Sequence, residues 1–192
     1  PFPLGGDPTV TRLGYGAMRI TGPGIWGEPA DHDQAIAVLH RAVELGVDFI
    51  DTADSYGPAV SEELIREALH PYDGVTIATK GGLLRPRPSA WDPDGRPEHP
   101  RRALDGSLKR LKIERIDLYQ LHAPDPRVPF ADSVGALAEG QKAGKIRHVG
   151  ISNVSVKQLE EARRICPIVS VQNEYNLGNR SSEEVLEACE RL

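Results

Sequence analysis

The sequence predicts an α/β chain of (β/α)8, or TIM, barrel class, with about six of the eight β/α units present in its 192 residues. Three observations carry this expectation. Short apolar runs alternate with amphipathic stretches from end to end, the rhythm of parallel strands joined by helices. No complete glycine-rich turn follows the first strand, where an open dinucleotide-binding sheet concentrates its fingerprint; Gly14-Tyr15-Gly16 is only a fragment of one. Polar residues stand instead at the C-terminal ends of successive strands, as they do round the mouth of a barrel.

The elements run as follows. Residues 12–19 form the opening strand and lead into a long loop. Asp31-His32-Asp33-Gln34 begins the first helix as a cap with a capping-box glutamine, Ile36, Leu39 and Val43 form its buried stripe, and Gly46 closes it. Strand 47–51 comes next. Ser61 caps a helix carrying Leu64, Ile65, Ala68 and Leu69, and strand 75–80 follows. Leu104, Leu108 and Leu111, at i, i+4 and i+7, mark a helix before strand 116–122. A helix with Val134 and Leu137 ends at Gly144, before strand 146–152. Ser155 and Gln158 make a capping box on a helix using Leu159 and Ala162, and strand 168–172 is the sixth. The last helix is capped by Ser181 and Glu184 and carries Val185, Leu186 and Cys189. No composition break divides the chain, so residues 1–192 read as one C-terminally incomplete domain, with the Gly/Pro-rich stretch 81–100 as a loop inside it.

Composition narrows the function. With 39% hydrophobic and 27% charged residues the chain resembles an ordinary globular protein. A net charge of −5 without long Lys/Arg runs argues against nucleic acid or an anionic membrane as partner. No apolar run approaches the ~18 to 20 residues of a membrane span. The opening PFPLGGDPTV lacks signal-peptide regions, and a start on Pro1 rather than Met points to numbering inside a longer product. Cys166 and Cys189 form neither a disulfide framework nor a metal-site spacing, so the expected compartment is a reducing cytoplasm. Oligomeric state is not legible.

The strand ends suggest a reaction. Asp51, Tyr56, Lys80 and His122 fall on three of them. A tyrosine titrates near 10, and lowering that by ~3 units takes roughly 4 kcal/mol of preference for the phenolate. One ammonium at ~4 Å and an effective dielectric of ~20 supplies about that much. Lys80 is therefore the right neighbour for Tyr56, Asp51 would fix Lys80, and His122 could donate to an oxygen gathering negative charge. The set suits carbonyl reduction and contains no nucleophile. Asp54 could serve only to cap the turn before Tyr56. The remaining histidines, His32, His40, His70, His99 and His148, are assigned to surface or loop roles. No metal is expected: Asp51, Asp54 and His122 lack any metal-ligand motif, and Lys80 among them would repel a cation.

The order and spacing of several segments resemble the aldo-keto reductase family from near the N-terminus to Leu192. They are Asp51-Thr52-Ala53-Asp54-Ser55-Tyr56-Gly57, Ala78-Thr79-Lys80, Asp117-Leu118-Tyr119-Gln120-Leu121-His122, Gly144-Lys145-Ile146-Arg147, Gly150-Ile151-Ser152-Asn153 and Val171-Gln172-Asn173. The resemblance implies a barrel binding NADPH across its mouth and passing hydride to an aldehyde or ketone. It makes Tyr56 the acid, Lys80 the residue lowering its pKa, Asp51 the holder of Lys80 and His122 the carbonyl-orienting group. It also assigns Ser152, Asn153 and Gln172 to the nicotinamide carboxamide, and Met18 and Arg19 to the approach of the cofactor ribose.

The chain departs from the family in length. A barrel typically needs ~250 residues, and the seventh and eighth units, with the 2′-phosphate loop, are expected beyond these residues. A truncated form would have little activity. Another reading is a cofactor-holding regulatory or redox-sensing subunit on the same fold. Trp26, Trp91 and Ala123-Pro124-Asp125 are expected to shape a hydrophobic or planar substrate pocket, to which Arg85 and Arg87 could add a preference for anions.

Overall fold

A computed structural model describes residues 1–192. A hairpin of β1 (Phe2–Pro3) and β2 (Thr9–Val10) precedes β3 (Tyr15–Gly16) and a 3-10 turn over Ala17–Ile20. Then come α1 (His32–Glu44), β4 (Phe49–Asp51), α2 (Val60–Leu69), β5 (Thr76–Gly81), a hairpin of β6 (Leu83–Leu84) and β7 (Asp92–Pro93), and α3 (Glu98–Leu111). The rest is β8 (Ile116–Leu121), α4 (Phe130–Lys142), β9 (Ile146–Ser152), α5 (Val156–Arg163), β10 (Ile168–Gln172) and α6 (Glu183–Arg191). β3, β4, β5, β8, β9 and β10 lie side by side in chain order in one parallel sheet. Together with the helices this is the partial (β/α)8 architecture the sequence predicts. No helix is long and apolar enough to cross a membrane.

Strand periodicity places the site. Alternate residues of a strand face opposite sides. Ile50, Ile77, Tyr119, Leu121 and Val149 pack outward against the helices, in two apolar clusters that also hold Leu39, Leu64, Leu104 and Leu137. On the other face Ala78 and Leu118 meet Leu4, with Phe49 and Val169 alongside, so the N-terminal hairpin plugs the bottom of the concave side. Two residues further along, the same face turns polar: Asp51, Lys80 and Gln120. The register pairs Lys80 with Gln120 and Gln120 with Gly150, and a Cβ on Gly150 would lie 2.9 Å from Gln120 Cγ. A glycine there leaves room for the amide.

Helix starts follow the expected caps in part. The Asp31 side chain accepts from Gln34 N, and both halves of the Ser155/Gln158 box are made. Gly46, past the end of α1, has φ 90, a conformation that favours glycine.

Several expectations are corrected. The opening strand shrinks from 12–19 to Tyr15–Gly16, because only these residues pair with β4 before the chain coils to bury Ala17 and Ile20. Ser61 is not a cap: α2 starts at Val60, and the Ser61 hydroxyl donates to Ala17 O at 3.0 Å while meeting Thr52 Oγ1 at 2.8 Å. A tertiary partner has outcompeted the local one. Ser181 bonds Asn179 Oδ1, so α6 begins at Glu183 without a side-chain cap, and Leu186 on it stays 43% exposed. Segment 81–100 holds the β6–β7 hairpin and the start of α3, on which His99 is buried rather than at the surface.

Candidate active site

Lys80 lies on the inner face of β5, fully buried, and its ammonium is saturated. Three donors find three acceptors: Asp51 Oδ1 at 2.6 Å, Thr52 O at 2.8 Å and Tyr56 Oη at 3.3 Å. Burying an ammonium is costly unless it is paired and hydrogen-bonded, and here it is both. Because Lys80 donates to the phenol oxygen, the Tyr56 hydroxyl proton is left to point elsewhere. Asp51 Oδ2 accepts from Gln172 Nε2 at 3.0 Å and Gln120 Nε2 at 3.3 Å.

The net effect on Tyr56 differs from expectation. Burial raises its pKa above the ordinary value; the Lys80 charge pulls it down, while Asp51 works against Lys80. The ammonium therefore limits the rise rather than producing a fall. Sequence spacing supplied the neighbour but not the desolvation, which depends on how much chain covers the ring.

His122, just past β8, is 7% exposed, and its ring meets the Tyr56 ring edge-on at 5.6 Å between centroids. Burial, with Lys80 adding to it, holds its pKa down at about 3, so the ring is neutral. Ser55 Oγ lies 3.2 Å from Nδ1. When that hydroxyl donates to Nδ1, the imidazole proton sits on Nε2. Asp54 is not a simple turn cap: burial, then the Glu62 charge, pushes it up to about 8, and its Oδ1 is buried without a partner.

The residues expected at the carboxamide converge beside this group. Ser152 Oγ donates to Gln172 O at 2.7 Å, and Asn153, at φ 58, donates its Nδ2 to His122 O at 2.9 Å. Its Oδ1 is unengaged. Met18 and Arg19 lie in the turn after β3, next to the Gly16–Asp51 pairing; Arg19 is exposed. A cavity of about 490 Å3 opens between the N-terminal hairpin and the sheet, lined by Leu4, Val10, Tyr15, Gly16, Asp51 and Gln172 and not by Tyr56 or His122. An apolar groove of about 450 Å3 along β10, α5 and α6 has none of the side chains gathered round Lys80.

Comparison with known proteins decides the family. The family model described as Aldo/keto reductase family matches residues 12–192. The chain belongs to that family. This aldo/keto reductase chain is 54% identical over 186 residues to an uncharacterized oxidoreductase of Schizosaccharomyces pombe, covering 97% of the chain and 61% of that protein. It is 43% identical over 190 residues to the pyridoxine 4-dehydrogenase of Escherichia coli, covering 95% and 66%. Among solved structures, a glycerol dehydrogenase from Gluconobacter oxydans superposes with a TM-score of 0.87 at 34% identity, covering 96% of this chain and 58% of that one. An aldo-keto reductase from Klebsiella pneumoniae in complex with NADPH does so at 0.76 and 25%, covering 95% and 61%. The chain thus spans about three fifths to two thirds of the length of these relatives.

In this aldo/keto reductase chain Trp91 stands over the site, 6.3 Å from the Tyr56 ring and 6.4 Å from that of His122. Half-buried Trp26 lies one layer back, bridged through its backbone to Gly57. Arg85 is spent on main-chain carbonyls, Arg87 is exposed, and Asp125 ties down Gly95 N and Arg127. Three of the five Arg85 N–H groups are thus taken up by the fold. Sequence reasoning missed two site residues. Gln120 was readable, as a lone polar residue two before His122 on the same strand face; Ser55 had no local mark.

Proposed function

We propose that the protein is an NADPH-dependent oxidoreductase that reduces an aldehyde or ketone to the alcohol, with Tyr56 as proton donor. The observation that carries this reading is Lys80 Nζ between Asp51 Oδ1 and Tyr56 Oη, at 2.6 and 3.3 Å. NADPH, when bound, supplies the hydride for the carbonyl carbon. Tyr56 gives its proton to the carbonyl oxygen as charge builds there, and Lys80 stabilises the phenolate left behind. Asp51 holds Lys80 in place. The neutral His122 ring, donating from Nε2, orients and polarises the same oxygen.

The donor set fits a carboxamide. Asn153 Oδ1 is free to accept from an amide N–H, Ser152 Oγ retains lone pairs, and Gln172 brings both a donor and an acceptor. Met18 and Arg19 are proposed to approach the ribose, and Trp26 and Trp91 to favour a hydrophobic or planar carbonyl. The Klebsiella complex with NADPH supports the cofactor, and the oxidoreductase names of the relatives support the reaction. We further infer that the groove along β10 is the seat of another β/α unit of the same barrel domain, and that the protein works in the cytoplasm.

Substitution of Tyr56 by Phe in the full-length protein tests the assignment. NADPH binding is expected to survive while consumption of NADPH with a panel of aldehydes is lost. Retention of more than a few per cent of the rate would remove Tyr56 from the acid role. Tight NADPH binding by the wild type without turnover of any carbonyl would instead identify a cofactor-holding regulatory protein.

A further inference from the structure

Arg85 is 8% exposed yet faces no carboxylate. Its three hydrogen bonds go to main-chain oxygens on three different loops: Nε to Ala90 at 2.9 Å, Nη1 to Ser55 at 3.2 Å and Nη2 to Gly24 at 2.9 Å. Its Cζ lies 3.7 Å from the centre of the Trp91 ring and 5.7 Å from that of Trp26. Burying a lone cation is unfavourable unless donors are met and its charge finds a π face; here three of five N–H groups are met and the Trp91 ring supplies the face. The flat fork of a guanidinium can do this; a lysine ammonium cannot span the same three carbonyls while stacking.

The position matters for the pocket. Ser55, which receives Nη1, precedes Tyr56 in sequence and contacts His122 through its hydroxyl. Trp91 is 38% exposed, its indole N–H reaches no acceptor in the protein, and its ring stands edge-on to Tyr56 and His122. Arg85 stacking is thus the polar contact that orients the indole.

We propose that Arg85 is a positioning residue that determines specificity by holding Trp91 as a fixed wall over Tyr56 and His122. The wall selects planar, apolar carbonyl substrates, and Arg85 does not read a substrate anion. This rests on the carbonyl-reductase reading above. Three of the five Arg85 N–H groups, one on each nitrogen, donate to the fold, which fixes the guanidinium plane against Trp91.

Two measurements on the full-length protein test it. The first does not depend on turnover. In a background where Trp26 and every tryptophan outside these residues are replaced by Phe, Trp91 is the sole tryptophan, and acrylamide quenching of its fluorescence reads its exposure. Quenching is expected to rise several-fold on adding Arg85→Met, with no rescue by Arg85→Lys; unchanged quenching would overturn the hold on Trp91.

The second is kinetic, with benzaldehyde, 4-carboxybenzaldehyde and propanal. Arg85→Met is expected to raise KM about tenfold for both ring aldehydes alike, with kcat moving much less, as loss of a binding wall requires. Propanal, which has no ring to stack, moves less. In a Trp91→Leu background the Arg85 substitution should add nothing further. A rise confined to 4-carboxybenzaldehyde would make Arg85 an anion receptor and overturn the proposal, as would an undiminished effect without Trp91. Should Arg85→Met not fold, Arg85→Lys carries both measurements. If the wild type reduces no member of a broad panel of aldehydes and ketones the reductase reading fails, and the quenching result still decides whether Arg85 holds Trp91.

Discussion

Gln120 and Gln172 both turn their side-chain amides onto one oxygen of Asp51, at 3.3 and 3.0 Å, from strands far apart in sequence. In the proposed reaction Gln172 is also a partner for the cofactor carboxamide. When it turns away, Gln120 is the donor left on that oxygen. Gln120→Leu is therefore expected to lower kcat several-fold in a steady-state assay while cofactor affinity stays close to wild type. Its effect on stability should stay within about 1 kcal/mol, because one long hydrogen bond is lost together with the buried, unpartnered Gln120 Oε1.

Beneath the site, fully buried Glu62 accepts from Thr79 Oγ1 at 2.6 Å and Arg110 Nε at 2.5 Å. Removing one member of a buried pair strands the other. Glu62→Ala is expected to cost about 3 kcal/mol, near the lower end for such pairs, since the Arg110 side chain keeps 24% exposure and can reach water. Urea denaturation measures it. A loss below about 1 kcal/mol would mean that the pair barely exceeds its own desolvation cost.

Asp54 gives a pH dependence of defined sign. Its folded pKa, pushed up to about 8, lies above its ordinary value of 3.8. Between these values the folded state holds the proton more tightly, so this group stabilises fully below about pH 4. That contribution is lost as pH rises through about 8. Asp54→Asn should remove the slope. Subtracting wild-type from variant unfolding free energies at a series of pH values should show the variant gaining up to about 1.4 kcal/mol per pH unit across that window. A flat difference would mean that Asp54 ionises normally.

His122 has the opposite sign. Its folded pKa of about 3 lies below the ordinary 6.5, so its contribution to stability is present above 6.5 and is lost as pH falls towards 3. The imidazole should stay neutral at every pH where the protein is folded and assayed. Nitrogen NMR of the ring is expected to show no titration between 5 and 8, whereas His32, raised by its hydrogen bond to Glu67, titrates above its usual value. A His122 titration near 6.5 would refute the burial argument.

For five of the six strands of the main sheet, the C-terminal end and the polar residue at it are legible from the sequence alone. The β-α rhythm placed Asp51, Lys80 and His122 at the C-terminal ends of successive strands, and the caps at Asp31 and Ser155 followed from side chains bonding within four residues of themselves. Both kinds of pattern are local, so they survive without knowledge of the fold. Tertiary structure decided the rest. Ser61 left its capping role for Ala17, 44 residues away, the N-terminal hairpin closed the bottom of the sheet, and Arg85, expected to add a preference for substrate anions, met three main-chain carbonyls. It also reversed the net direction of the Tyr56 shift. Desolvation and competition between partners depend on what distant segments bring alongside, and no spacing along the chain encodes that.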